Sequence, residues 1–183
     1  MLEDILNYQP KNQQEEADKK LILQITQQDE LYNRSTLVAH YTSSGFIMNK
    51  TLDKVLFAYH NIYDSFAWSG GHNDGDQNFL KVAIKEANEE LGIKNLECLT
   101  NEIDSLDVLH VNSHFKNGEY VSEHLHFNIT YILIGDEREQ IRIKPDENSA
   151  VKWISIFDLD KFVTEKNMLV IYNKLINKAK HSN

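Results

Sequence analysis

Cysteine, proline and long apolar runs are all scarce in this chain of 183 residues. Its single cysteine, Cys98, excludes an intrachain disulfide, and a reduced, cytoplasmic setting is expected. Two prolines and seven glycines exclude a collagen-like or proline-rich chain. No stretch approaches the roughly 18 apolar residues that a membrane span requires. The polar, acidic start MLEDILNYQPK does not resemble a signal peptide. The composition therefore predicts a soluble protein that does not associate with membranes.

Positive charge is also in short supply. The 19 Lys and Arg residues are outnumbered by 28 Asp and Glu residues, which leaves a formal net charge of −9. Such a chain has no general attraction for a nucleic acid polymer or an anionic membrane. It can still bind a phosphorylated small molecule where a divalent cation lies between the two. With 41% hydrophobic residues, the chain has enough apolar material for the core of one domain.

Hydrophobic periodicity predicts strands on both sides of one strong central helix. Alternating and β-branched patterns indicate strands at 37–48, 54–60, 105–115, 123–135 and 150–156. Helical spacing indicates further helices at 13–33, 157–162 and 166–180. The first of these would be amphipathic, with apolar positions at Ala17, Leu21, Ile25 and Leu31. The order of elements predicts an α+β fold, an α/β/α sandwich with a central mixed sheet.

The central helix has clear end signals. Asp74-Gly75 predicts a turn, Asp76 is the expected N-cap, and Gly92 is the expected stop. Its apolar face consists of Leu80, Ala83, Ile84, Ala87 and Leu91. At about 100° per residue, the three glutamates Glu86, Glu89 and Glu90 fall within an arc of roughly 100°, away from that face.

Three carboxylates on one helical patch repel one another unless a positive charge compensates them. Hard oxygen ligands at this density suit Mg²⁺, Mn²⁺ or Ca²⁺. The plainer alternative is a solvated acidic face. An EF-hand loop is excluded, because its frame around Gly75 would need an acid at Gly70 and a glutamate at Lys81.

Spacing from a glycine pair distinguishes the two readings. Gly71 is followed by five residues, Gln77, seven residues, and then KEANEELGI at 85–93. This stretch resembles the Nudix box, the signature of the Nudix hydrolase family, and matches seven of its nine defined positions. The likeness extends over about residues 36–162. It implies an N-terminal helical extension at 1–35 and a Nudix hydrolase domain at 36–183.

Membership of that family implies a metal-dependent hydrolase that cleaves a nucleoside diphosphate linked to another moiety. By the resemblance, Glu86, Glu89 and Glu90 would ligate Mg²⁺ or Mn²⁺, and the carbonyl of Gly71 would add a ligand. Water would attack phosphorus while a phosphate departs, which needs a general base. Glu86 or Glu89 is a candidate base, and Glu147 in a later loop is another. A possible homodimer is also implied, since dimers are common in the family.

Two positions depart from the family pattern. Gln77 stands where the box has glutamate, and Lys85 stands where it has arginine. Lys85 is counted with the catalytic residues, although its ammonium cannot reproduce the planar fork of arginine. We hypothesise that a Gln77–Lys85 contact replaces an ion pair and orients Glu86 less well.

Substrate-binding candidates lie close to the glycine pair and on a later strand. His72 follows the pair, Trp68 precedes it, and His126 shares a strand face with His124. His110 and His114 share a face of the preceding strand. A two-residue turn at Asn117-Gly118 would set His110 opposite Leu125 and send the two histidine sets to opposite faces, so a metal site built from these four is not expected.

Two alternatives to hydrolysis stay open. The departures at Gln77 and Lys85 would suit a catalytically weak Nudix module that senses a nucleotide. A Nudix isomerase would share the metal-bearing fold but needs acid and base residues that the sequence does not identify.

Overall fold

The computed structural model describes residues 2–26, 29–61, 64–116, 118–145 and 148–182. Five α-helices occur in these ranges: α1 (Leu2–Asn7), α2 (Gln13–Ile25), α3 (Phe79–Leu91), α4 (Leu159–Phe162) and α5 (Lys166–His181). The strands are β1 (Ala39–Asn49), β2 (Lys54–His60), β3 (Ser65–Ala67), β4 (Ser69–His72), β5 (Glu97–Cys98), β6 (Ser105–Val111), β7 (His114–Lys116), β8 (Glu119–Val121), β9 (His124–Gly135) and β10 (Asn148–Ser155). None of the described helices is both long enough and apolar enough to cross a bilayer.

An eight-stranded mixed sheet organises the fold. Its main path runs β10-β2-β1-β9-β5, with β3 on β2, β4 on β1 and β6 on β9. β1 and β9 pair in parallel over their whole lengths, whereas the other pairs are antiparallel. Two strands share the edge of β1 that faces away from β9. β4 pairs with residues 42–45, and β2 pairs near Met48.

Helices cover both faces of this sheet. On one face, Tyr41 and Ile47 of β1 join the buried residues of α3, namely Phe79, Ala83, Ala87 and Leu91. On the other face, Phe46 and Met48 pack with Tyr172 and Leu175 of α5. Successive residues of a strand point to opposite faces, so β1 contributes to both cores. The predicted α+β fold, with a mixed sheet between helices, is confirmed.

The N-terminal helix lies along the sheet rather than apart from it. Asp18 of α2 accepts a hydrogen bond from the backbone N–H of Val108 at 2.8 Å, which covers the edge of β6. The predicted apolar stripe is wrong in detail, because Ala17 and Leu21 are exposed while Ile22 is buried. The helix also ends earlier than predicted, at Ile25, and a 3₁₀ turn follows at Asp29–Tyr32.

A buried charge cluster explains why the buried face of α2 differs from the predicted apolar stripe. Glu15 is fully buried, and its carboxylate accepts from the Tyr8 hydroxyl at 2.8 Å. The ammonium of Lys174 on α5 lies 2.8 Å from Glu15 and 2.7 Å from Asp107 of β6. The ion pair with Lys174 accounts for the charged Glu15 on the inner face of α2. The sequence pattern alone does not identify Lys174 as its partner.

Candidate active site

A tight turn leads into the box, residues 71–93. Asp74 and Gly75 both have positive φ, 47° and 91°. Asn78, not the predicted Asp76, is the N-cap of α3, because its side chain accepts from the N–H of Lys81 at 3.0 Å. Asp76 accepts instead from the N–H of Asn78 at 2.9 Å, so it stabilises the turn just before the helix.

The far end of α3 follows the prediction. Gly92 is its C-cap in the left-handed conformation, with φ of 73°. Glycine adopts that conformation without the penalty that a Cβ atom brings. The helix and its stop therefore fix the position of the three glutamates relative to β4.

Glu86 and Gly71 are in close contact. Glu86 is 9% exposed, and a methyl group added at Gly71 would lie 2.6 and 2.8 Å from the two carboxylate oxygens. The antiparallel pairing of Gly71 with Ser43 holds the glycine at this point. Only a residue without a side chain leaves room there for the carboxylate.

Lys85 supplies positive charge to this patch. Its ammonium lies 3.2 Å from Oε1 of Glu86 and 3.7 Å from Oε1 of Glu89. The hydrogen bond to Glu86 raises the pKa of Lys85, so the ammonium is retained. Gln77 precedes α3, so helical spacing does not bring it to Lys85, and no hydrogen bond between the two occurs in the described part of the chain.

The residues fit a hard divalent cation. Glu86 is nearly buried, the Glu89 side chain is 46% exposed, and Glu90 is partly buried on the next position of the same helix. The Lys85 ammonium between Glu86 and Glu89 shows that this patch already accepts a cation. Carboxylate oxygens on adjacent turns are the donor set that Mg²⁺ and Mn²⁺ take.

Glu147 lies outside the described residues. Its chain neighbour Asn148 begins β10, and the Asn148 side chain donates to the carbonyl of Glu90 at 3.2 Å. The start of β10 therefore lies against the end of α3.

Four histidine side chains converge on the face of the sheet opposite α3. Among the described residues they form the one group of His, Cys, Asp or Glu whose ligand atoms all lie within 4.8 Å of one another. The group comprises His40, His72, His124 and His126. It contains two predicted substrate-binding residues, His72 and His126, whereas helix α3 with its three glutamates lies on the other face of the sheet.

The predicted separation of the two histidine sets is confirmed. His110 pairs with Leu125 and Val111 pairs with His124, as a two-residue turn requires. Asn117 of that turn lies outside the described residues. His110 therefore faces away from His124 and His126, and these residues do not form a site together.

His40 was missed by the sequence reasoning. It pairs with His126 across the parallel β1–β9 ladder. No local signal in the sequence identifies which strand lies beside β1, because parallel partners are joined by long crossovers. The HxH spacing of His124 and His126 was the one available sign of a shared face.

Trp68 faces α5 rather than the open side of the box. Its ring lies 5.2 Å from that of Tyr172 in an edge-to-face arrangement, and the backbone N–H of Trp68 donates to the Tyr172 hydroxyl at 3.4 Å. A structural part for Trp68 accounts for these contacts, and its predicted binding of substrate stays a prediction.

The sequence matches no family model and no curated protein. Among solved structures, a Nudix-family hydrolase from Clostridium perfringens is 25% identical, with a TM-score of 0.54 over 76% of this chain and 97% of that chain. Its sequence and its fold are both similar to those of this chain, which carries the box at residues 71–93. This chain belongs to the Nudix hydrolase family.

More distant Nudix hydrolases have the same fold. A Caenorhabditis elegans Ap4A hydrolase is 16% identical, with a TM-score of 0.59 over 77% of this chain and 98% of that chain. The Escherichia coli dihydroneopterin triphosphate pyrophosphohydrolase is 14% identical, with a TM-score of 0.57 over 75% and 95%. The predicted family and the predicted enzyme class, a Nudix-type hydrolase, are confirmed.

Proposed function

We propose that this Nudix hydrolase cleaves a phosphoric anhydride bond in a nucleoside diphosphate derivative, with Mg²⁺ or Mn²⁺ bound by Glu86, Glu89 and Glu90. The contact of the Glu86 carboxylate with Gly71 is the observation that carries the proposal. It brings the first residue of the box against a glutamate of its helix, so that the carbonyl of Gly71 and the helix carboxylates would serve one cation. When bound, that cation neutralises charge on the phosphoryl oxygens and lowers the pKa of a water.

The side chains of the patch have separate tasks. Glu86 is nearly buried and its carboxylate lies against Gly71, so it acts as a fixed ligand. Glu89 is more exposed and can reach a water, which makes it the better candidate base within the helix. Glu147, which lies outside the described residues, stays the alternative base.

Substrate is limited here to a class. One structural neighbour is an Ap4A hydrolase and another acts on dihydroneopterin triphosphate, so anhydride chemistry is common to them while the organic group differs. The net charge of −9 favours a small phosphorylated molecule over a nucleic acid polymer. Contacts of substrate with His72, Trp68 and His126, a cytoplasmic location and a homodimer all remain predictions.

One observation favours the sensor alternative. The Lys85 ammonium is paired with both Glu86 and Glu89, so a divalent cation must displace it from the patch. A chain that binds nucleotide without turnover would use the same fold with this ion pair intact.

The deciding experiment measures phosphate and nucleotide release from a panel of nucleoside diphosphate derivatives, with and without Mg²⁺. Glu89→Gln should lower kcat by about 100-fold or more, the effect typical of losing a general base. Glu119→Gln, on the exposed strand β8, is the matched control and should turn over like the unchanged protein. Nucleotide binding without turnover on any substrate would overturn the hydrolase proposal in favour of the sensor.

A further inference from the structure

The four-histidine cluster has the dimensions of a metal site. Nε2 of His124 lies 3.2 Å from Nε2 of His126. Zinc–imidazole bonds of about 2.0–2.1 Å in a tetrahedron place ligand nitrogens about 3.3–3.4 Å apart. The rings of His40 and His72 lie 4.8 Å apart, and the His40 ring lies 4.9 Å from each ring on β9. Rotations of the side chains by small amounts would bring all four nitrogens to one centre.

The strand register places these four rings on one face of the sheet. His40 and His126 are direct partners in the β1–β9 ladder, and His124 is two residues earlier on β9. His72 pairs with Thr42, which is two residues beyond His40 on β1. Since side chains two residues apart share a face, three different strands contribute to one cluster.

Hydrogen bonds from Nδ1 orient two of the rings. Nδ1 of His40 donates to the carbonyl of Thr36 at 3.1 Å, and Nδ1 of His124 donates to the carbonyl of Ser122 at 2.8 Å. Each bond leaves Nε2 as the lone-pair nitrogen. Metal-bound histidines are held by this kind of bond from the other ring nitrogen.

His40 gives the second, independent sign of a ligand. The residue is 4% exposed, and its Nε2 is buried without a hydrogen-bond partner among the residues that the structure describes. A direct His124–His126 hydrogen bond accounts for those two rings without any metal, but it leaves the His40 nitrogen unpaired. A buried unpaired acceptor costs about 1–3 kcal/mol, whereas a metal ion would satisfy it.

We propose that His40, His72, His124 and His126 form a binding site for one first-row transition-metal ion of the zinc type. Imidazole nitrogens suit Zn²⁺, and four of them suit its tetrahedral geometry, whereas Mg²⁺ takes oxygen ligands. The site therefore differs in ligand chemistry from the glutamate patch, and it lies on the opposite face of the sheet.

The bound ion would act as a clamp on the box. His72 directly follows Gly71 on β4, so a metal bond from His72 to β1 and β9 ties down the strand that carries the loop carbonyl. The proposal does not depend on hydrolysis, because binding at the histidines is measured without any substrate.

Zinc binding to the full chain tests the site. The metal-stripped protein is titrated with Zn²⁺ by calorimetry, with Mg²⁺ in excess to occupy carboxylates. One equivalent should bind tightly, and His40→Asn and His126→Asn should each weaken binding by about 100-fold or more, since even the loss of a hydrogen bond to a metal-bound histidine costs about 10- to 100-fold. His181→Asn, exposed at the end of α5, is the matched control and should bind like the unchanged protein.

Two further measurements guard against a folding defect in the variants. X-ray absorption at the zinc edge of the unchanged protein should show nitrogen ligands at about 2.0–2.1 Å with imidazole scattering. Thermal melting should rise with Zn²⁺ in the unchanged protein and in Glu89→Gln, but not in His126→Asn. Loss of zinc binding in Glu89→Gln with retention in His126→Asn, or an oxygen-only shell, would overturn the proposal while leaving the hydrolase proposal standing.

Discussion

At the residue scale, the Gly71–Glu86 contact is the tightest constraint in the site. The carboxylate occupies the space where any Cβ at position 71 would lie. Glu86 has Lys85 as its other neighbour, so it cannot move aside without losing an ion pair. Both the identity of the glycine and the position of the carboxylate therefore follow from one contact.

Gly71→Ala should lower kcat by about 100-fold, because the methyl group displaces Glu86 from the cation, and should cost about 1–3 kcal/mol of unfolding free energy from crowding. Steady-state kinetics and urea denaturation measure the two effects. Gly118→Ala is the control. The φ of Gly118 is 84°, and an added Cβ would meet no atom of the described residues within 4 Å, so the change should lower the free energy of unfolding by about 1 kcal/mol and leave kcat unchanged. Equal kinetics in Gly71→Ala and the unchanged protein would exclude a catalytic part for this contact.

The residues of the box were predictable because their spacing is local. The three glutamates lie on one helix that ends at Gly92, as the spacing predicts, and Gly71 lies on β4 just before the turn that leads into the helix. The N-cap is Asn78 rather than Asp76, because Asn78 accepts from the N–H of Lys81 inside the helix, whereas Asp76 accepts from the N–H of Asn78 itself. His40 could not be placed, since its partners come from strands far along the chain.

At the element scale, one lysine joins three elements. Lys174 of α5 lies between Glu15 of α2 and Asp107 of β6, and both carboxylate side chains are 1% exposed. Removing the lysine leaves two buried carboxylates without their cation. Helix α2 is therefore fastened to the sheet by charge as well as by Ile22.

Lys174→Ala should lower the free energy of unfolding by about 3–5 kcal/mol, the usual penalty for breaking a buried pair. Chemical denaturation measures it. The control is Lys180→Ala on the same helix. Lys180 is exposed, so this change should alter the free energy of unfolding by no more than about 0.5 kcal/mol. A loss as small as the control's would mean that water reaches the cluster in solution.

Asp107 also makes stability depend on pH. Burial raises its pKa, and the neighbouring Glu15 adds to this, while the shared Lys174 opposes it. Between the unfolded pKa of about 3.9 and the raised folded value, the folded state holds more protons, so the contribution of Asp107 to stability falls as pH rises.

The free energy of unfolding of the unchanged protein minus that of Asp107→Asn should therefore decrease from about pH 4 to pH 7. Urea titrations of both proteins at several pH values measure this difference. An increase over that range would show that Lys174 lowers the pKa of Asp107 instead.

At the scale of the whole molecule, the N-terminal segment is part of the core. Ile5 and Ile22 are fully buried and join Tyr41 and Phe127 in one apolar cluster. Each such side chain stabilises the fold by about 1.5–3 kcal/mol. The predicted division into 1–35 and 36–183 stays a prediction, but these contacts bind the two parts together.

Deleting residues 1–26 should abolish the cooperative thermal transition, because the deletion exposes the edge of β6, removes Glu15 from Lys174 and removes Ile5 and Ile22 from the core cluster. Calorimetry and circular dichroism measure the transition. Removal of residues 182–183 is the control, since α5 ends at His181. A deleted chain that still melts cooperatively and turns over substrate would show that the extension is dispensable.

The sequence predicted most strands and helices, since their patterns are local. It did not predict which strands are neighbours, nor that a glutamate on α2 would face inward. Those features depend on partners brought together by the whole chain, such as the β1–β9 ladder and the Lys174 cluster.

The β1–β9 ladder also determines the order in which this enzyme can assemble. Partners such as His40 and His126 are 86 positions apart, and the box lies entirely within the loop that their pairing closes. Closing so long a loop is entropically slow, so the ladder is a late event on the folding pathway. Helix α3 can form early, but the box has its final geometry only once that loop is closed, so nascent chains and fragments ending before β9 carry the signature without the site.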